Sequence, residues 1–394
     1  MVSNRRHRVG AKKIPHFKLG GACGILQTAR SSIAWIAQRN GLPDMILIYA
    51  FLAIATLVFC LCAKRLGHWL DIVDRPDGSR KIHRDETPLV GGIAVMIPVA
   101  AMAIGTALTS DFAPLFGVLG VAILGFFIVG LLDDRRHLKP AMRLGVSTVA
   151  CLAFLWVVPA LDVTFLKFSF LPNAIYFDTS PVFVPALAIS ALFTVLCLVG
   201  LQNAINMADG ENGLAIGLSI LWVALLLVSA PSHIAPLLVV FLVSLLIALI
   251  FNLAGRLFLG DSGAYAIGIA IGLMTLYVYG VGFTRVPADM VVLWFLVPVI
   301  DTLRLMLVRV LCGRSPLRSD RNHLHHRIQR LVGWPWSVAV YLVIVGVPCI
   351  LAMAYPPRTL IWIVVALSGY GIVMSLSYLR ARQGPAQTSV SISL

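Results

Sequence analysis

The chain has 394 residues, 59% hydrophobic and 12% charged, with a formal net charge of +14. Soluble domains carry about 25% charged residues. This composition excludes a water-soluble globular protein, so membrane spans are counted before domains.

Residues 1–44 hold eight Lys and Arg and one acid, Asp44. The apolar part, 21–37, is short and broken by Gln, Arg and Ser, so no signal peptide is read there. The segment is expected to be a disordered extension, or translation starts at Met45. From there, eleven apolar windows predict spans: 45–63, 89–109, 113–132, 141–158, 181–201, 213–230, 235–253, 263–281, 288–311, 336–354 and 357–378. The runs are continuously apolar rather than alternating, which excludes a strand barrel. The expected fold is an all-α polytopic membrane protein of about eleven transmembrane helices with catalytic cytoplasmic loops. Residues 45–378 form the membrane domain and 379–394 a cytoplasmic tail. The long loop 159–180 has alternating apolar residues and is expected to form a hairpin.

Orientation follows from Lys and Arg. One alternate set of loops and span ends holds twenty of them; the other holds only Lys167, Arg285 and Arg358. The rich set is therefore cytoplasmic. Residues 1–44 then sit outside, against the same tendency. Twelve of the 17 acidic residues also fall on the cytoplasmic side, so the chemistry is expected there. The seven cysteines form no CxxC pair and read as small apolar fillers.

Five cytoplasmic motifs carry the candidate chemistry. In "DRPDGSRKIHRDETPLVGG", Lys81, His83 and Arg84 can meet phosphate, or are ordinary inside-positive charge. In "LLDDRRHLKP", Asp133 and Asp134 repel each other unless a cation or basic groups stand nearby. Arg135, Arg136, Lys139 and Arg143 supply basic groups. In "NAINMADGENG", Asn203, Asn206, Asp209 and Asn212 recur every third residue, one side of a helix. Polar groups at such depth are costly and usually functional. Oxygen ligands of this kind suit Mg²⁺, which fills its shell with phosphate oxygens and water. In "FNLAGRLFLGDSGAYAIG", Asp261 is a lone carboxylate between glycines; a cation shared with Asn206 requires the two loops to meet. Phe258 can stack a nucleobase or simply pack. Last, "SDRNHLHHRIQR" places His323, His325 and His326 among arginines. A zinc site lacks a paired cysteine, and three histidines in four residues do not easily face one metal from a helix. Anion binding by imidazole and guanidinium fits better, with Arg321 among the donors.

Taken together, "PLVGG", "DD", "NAINMADGENG", "FLGDSG" and "DRNHLHHR" resemble the polyprenyl-phosphate N-acetylhexosamine-1-phosphate transferases, in the family's order from about Met45 to Tyr378. The resemblance implies that Asn206 and Asp261 hold Mg²⁺, with Mn²⁺ as a substitute, against a UDP-sugar diphosphate. It implies that Phe258 stacks on uracil and Asn212 contacts the nucleoside. Asp209 follows the bacterial pattern. Asp133 and Asp134 match the essential aspartate pair, and the three histidines match a motif facing the phosphates. The "HLHH" spelling resembles the GlcNAc-1-phosphate branch.

The implied reaction is attack of undecaprenyl phosphate on the β-phosphorus of a UDP-N-acetylhexosamine, releasing UMP. Lys139, Arg143, Arg321 and the histidines are expected to stabilise negative charge. Asp133 is open to three roles: base, nucleophile, or positioning group in a single-step attack. Another UDP-sugar, such as a 6-deoxyhexosamine, is the alternative within the family. A secondary transporter of an anionic solute is the alternative outside it, but polar groups here cluster at span ends and no repeat is evident. The expected setting is the bacterial inner membrane with the active site on its cytoplasmic face. The expected product initiates a surface polysaccharide such as O-antigen. Membrane lipid is a partner, a homodimer is compatible, and no nucleic acid is expected.

Overall fold

The protein's structure is a computed structural model that describes residues 42–75, 86–177, 184–316 and 320–383. Most of residues 1–44, Lys81, His83, Arg84, Arg318 and the tail from 384 lie outside the described residues. Thirteen α-helices follow in order: α1 Leu42–Leu61, α2 Ala63–Leu70, α3 Gly91–Thr109, α4 Ala113–Arg136, α5 Pro140–Val157, α6 Val184–Ala208, α7 Leu214–Ser229, α8 Ala235–Leu253, α9 Gly260–Gly282, α10 Ala288–Leu311, α11 Leu324–Val332, α12 Trp336–Ala354 and α13 Thr359–Gln383. Two short pairs complete it among the described residues: β1 Val73–Asp74 with β2 Thr87–Pro88, and β3 Phe165–Leu166 with β4 Ile175–Tyr176. The second pair is the hairpin expected in loop 159–180. Helices prevail because a backbone in hydrocarbon must satisfy its own hydrogen bonds.

Ten described helices are long and apolar enough to cross a membrane. The window at 213–230 is the exception to the eleven predicted. It folds as α7, only 16 residues, or about 24 Å at 1.5 Å per residue. Both ends are fixed locally. Gly213 is left-handed at φ 89°, and Pro231 holds Ala230 extended at ψ 151°. Helix α8 follows, and Asn252 near its end lines the same cavity as Gly210 and Asn212 just before α7. The two helices thus leave one end of the bundle and return to it.

Helix α9 is the central post. It is buried from Gly260 to Tyr279 except at Asp261 and Leu276. It packs on α3, α4, α6 and α7. Two glycines let neighbouring helices reach its first turn. A Cβ at Gly92 would lie 2.5 Å from the Gly263 nitrogen, and one at Gly130 would lie 2.4 Å from the Asp261 carbonyl oxygen. The backbone seals this junction: Phe258 N donates to Pro88 O at 2.9 Å, and Gly91 N donates to Phe258 O at 2.9 Å. "PLVGG" and "FLGD" are therefore two halves of one contact.

The far end of the bundle is tied by acids. Asp162 accepts from Ser190 at 2.7 Å and Thr194 at 2.6 Å. Asp289 accepts from the Ser169 backbone at 2.8 Å and its hydroxyl at 2.5 Å. Cys60, Cys151 and Cys349 are buried and free, as small fillers.

Candidate active site

At the other end, a cavity of about 960 Å³ opens among the helix termini. Its wall includes Asp134 from α4, Asn206 from α6, Asp209 to Asn212 from the turn that follows, Asn252 from α8, and Phe258, Gly260 and Asp261 at the start of α9. Arg321, Asn322, His326, Gln329 and Arg330 come from the loop after α10 and from α11.

The acids are organised around the first turn of α9. Asp134 accepts from the Asp261 nitrogen at 2.8 Å and the Ser262 nitrogen at 3.0 Å. A carboxylate at a helix N-terminus satisfies free N–H groups and meets the positive end of the dipole. Asn206 Nδ2 donates to Asp261 Oδ1 at 2.6 Å. The two loops that the sequence requires to meet therefore do so. Burial, then the charges of Asp261 and Asp134, push the Asp209 carboxyl well above the usual carboxylate range. Asn206, Asp209 and Asp261 offer oxygens able to hold a hard cation. Among the described residues, no group of three or more His, Cys, Asp or Glu has metal-holding geometry. A cation here would take its remaining ligands from substrate and water.

Asp133 is placed differently from its neighbour. It is 2% exposed and does not line the cavity. Adjacent residues on a helix point about 100° apart. Its oxygens accept from Arg143, from Tyr265 at 2.9 Å and from the Leu138 nitrogen at 2.8 Å. Arg143 also donates to the Tyr265 hydroxyl at 2.7 Å. The carboxylate expected to act as base, nucleophile or positioning group is enclosed in a buried junction of α4, α5 and α9. Arg143, expected at the substrate, is engaged there too. Lys139 is exposed at the start of α5 and does not line the cavity.

The polar register at the end of α6 is shorter than its sequence spacing suggests. The helix stops at Ala208, so only Asn203 and Asn206 lie on it. Asn203 donates back to Val199 O at 2.7 Å and does not line the cavity. Asp209 and Asn212 reach the wall from a turn instead. That turn is held by Asn252, whose Oδ1 accepts from Gly213 N at 2.6 Å and whose Nδ2 donates to Leu257 O at 3.0 Å. Trp334 Nε1 donates to Asn212 O at 3.2 Å. Asn252 was not among the expected site residues. Its only sequence trace is an amide at the end of an apolar run.

The histidine loop is layered. His326 lines the cavity, whereas His323 and His325 do not and are buried behind it. Burial, then His323, Arg321 and Arg330, push the His326 imidazole down to about 4. His325 is pushed well below the usual range, first by burial. These rings are neutral near pH 7, so positive charge on this wall comes from Arg321 and Arg330. Arg309 anchors the loop through Asp320 at 2.9 Å. Phe258 sits in the wall, with Asp74, Arg75 and His137 as further lining residues that were not anticipated.

The sequence model of glycosyl transferase family 4 matches residues 115–279. The undecaprenyl-phosphate alpha-N-acetylglucosaminyl 1-phosphate transferase of Yersinia pestis is 31% identical over 296 residues, 72% of this chain and 76% of that protein. The probable undecaprenyl-phosphate N-acetylglucosaminyl 1-phosphate transferase of Bacillus subtilis is 28% identical over 289 residues, 72% and 77% of the two chains. The decaprenyl-phosphate N-acetylglucosaminephosphotransferase of Mycolicibacterium smegmatis is 29% identical over 283 residues, 64% and 68%.

Proposed function

The chain belongs to glycosyl transferase family 4 and is a membrane phosphotransferase, and from that premise we propose that it moves N-acetylglucosamine 1-phosphate from UDP-GlcNAc to undecaprenyl phosphate. The observation that carries the reading is the Asn206–Asp261 contact at 2.6 Å within a cavity framed by the ends of membrane-spanning helices. A lipid substrate and a water-borne one meet only at such a boundary. The excess of Lys and Arg at this end supports a cytoplasmic face, and the bacterial sources of the relatives fit a bacterial membrane.

In the reaction, an oxygen of the lipid phosphate forms a bond to the β-phosphorus of the donor. The bond from that phosphorus to the bridging oxygen breaks, and UMP carries away the electron pair. A phosphate monoester has a second pKa of about 6 and is mostly ionised at neutral pH. The attacking oxygen therefore needs no base, which agrees with the enclosed place of Asp133. Asn206, Asp209 and Asp261 would hold a Mg²⁺ ion. When bound, that ion would neutralise diphosphate charge and favour the leaving group. The chain's own groups orient and neutralise. Arg321 and Arg330 donate to phosphate oxygens, and His326, neutral, donates a single N–H. Phe258 offers its face to the uracil, with Asn212 beside it. Asp134 fixes the turn that carries Asp261.

The test is incubation of purified protein with undecaprenyl phosphate, Mg²⁺ and a panel of UDP-sugars, with UMP measured. Release with UDP-GlcNAc above all others is expected. Preference for a 6-deoxy-N-acetylhexosamine donor would replace the sugar assignment, and no release with any donor would overturn the reaction.

A further inference from the structure

Asp301 stands on α10, 3% exposed, and does not line the cavity. Its carboxylate nevertheless accepts four hydrogen bonds: from His323 Nδ1 at 3.0 Å, Leu324 N at 3.0 Å, Arg304 at 2.8 Å and the Tyr370 hydroxyl at 3.2 Å. Two of the four donors belong to the start of α11. A carboxylate facing Nδ1 selects the tautomer with its proton there and leaves Nε2 as the acceptor. The His323 ring lies nearly parallel to His325, centroids 5.7 Å apart at 9°. His325 in turn contacts His326 at 4.1 Å. From the buried carboxylate to the cavity wall runs an unbroken line of three imidazoles.

We infer that Asp301 is a positioning residue for the transfer reaction: it fixes the seat and tautomer of His323 and, through the stacked rings, sets His326 against the phosphates. The inference rests on the reading of this cavity as a sugar-1-phosphate transfer site. Arg304 and Tyr370 hold the other oxygen of the carboxylate, so Oδ2 stays aimed at α11.

Asp301→Asn keeps the shape and changes the chemistry. The amide turns one acceptor into a donor. Presented to His323 Nδ1, it favours the opposite tautomer. In metal sites, losing the orienting partner of a ligating histidine costs roughly 10- to 100-fold in metal affinity or activity, and a loss of that order is expected for the orienting partner here. The experiment is a double-mutant cycle on the full chain in nanodiscs, reading UMP release and thermal unfolding for wild type, Asp301→Asn, His323→Ala and the double variant.

Asp301→Asn is expected to lower kcat roughly 10- to 100-fold with KM for the UDP-sugar little changed and the folded state retained. The double variant is expected to be no worse than His323→Ala, because coupled residues are not additive. Tyr370→Phe, which removes a donor to Asp301 and leaves His323 untouched, is expected to lose far less. Additive losses, unchanged kcat in Asp301→Asn, or an equal loss in Tyr370→Phe would overturn the inference. So would an Asp301→Asn chain that does not fold, since the role would then be structural. A wild type inactive with every donor fails the functional reading on which the inference stands; an active wild type with additive losses fails the inference alone.

Discussion

Asn206 and Asp261, 55 residues apart in the chain, are joined at 2.6 Å. The bond ties the last turn of α6 to the first turn of α9, and both residues face the cavity. Both side chains are half-buried at the cavity wall rather than in the packed core. Asp261→Asn is therefore expected to leave the protein folded and to lower UMP release by more than the roughly 10- to 100-fold that loss of a metal ligand's supporting partner costs. Chelation of divalent cations with EDTA should have the same effect on wild type, reversed by Mg²⁺. Retained turnover in either case would remove the cation from the scheme.

The neighbours Asp133 and Asp134 are expected to separate on stability. Asp133→Ala strands a partly buried guanidinium, Arg143, whose side chain is 26% exposed. Removing one partner of a buried pair costs about 3–5 kcal/mol. Asp134→Ala removes a helix cap, at about 0.5–2 kcal/mol. Thermal unfolding in detergent, measured beside turnover, should show the first variant less stable and the second less active per folded molecule.

Acid should destabilise the histidine loop. His326 titrates at about 4 in the folded chain against 6.5 for an ordinary histidine. Between those values the unfolded chain binds more protons. Its contribution to stability is complete above about pH 6.5 and is lost as pH falls toward 4. His325 shifts in the same direction. The unfolding midpoint of wild type should fall from pH 7 to pH 5, and His326→Gln should fall less over the same range.

Gly92 tests the junction beneath the site. An alanine there would set Cβ 2.5 Å from the backbone of Gly263. Backbone cannot step aside as a side chain can, so overpacking of about 1–3 kcal/mol is expected. Gly105→Ala, on the same helix with nothing within 4 Å of its Cβ, should cost nothing. The difference between the two unfolding midpoints measures how tightly α3 closes on α9.

Span placement was legible because lipid imposes one rule on every crossing residue, and apolar runs report it directly. The exception, α7, turned on local backbone at Gly213 and Pro231, which hydropathy does not weigh. The site was legible to the extent that polar residues interrupt apolar runs: Asn206, Asp209, Phe258 and Asp261 all line the cavity. Sequence does not reveal which way a side chain points once helices pack. Asp133 and Asp134 are adjacent, yet the seat of α9 decides that one faces the cavity and the other faces Arg143. The same applies to the histidines, of which one reaches the wall. Asn252 and Asp301 act through partners up to 69 residues away, a distance at which spacing carries no message.

The bundle is asymmetric from end to end. Asp162 and Asp289 pin one end with hydroxyl and amide donors, the cavity occupies the other, and the packed length of α9 stands between them. Under the proposed reaction, both substrates enter and both products depart on a single side of the bilayer. A lipid-linked sugar made here is left on the leaflet where it was built. Carrying that sugar across to the opposite surface is a separate step, and it needs a different kind of protein, one that turns lipids over.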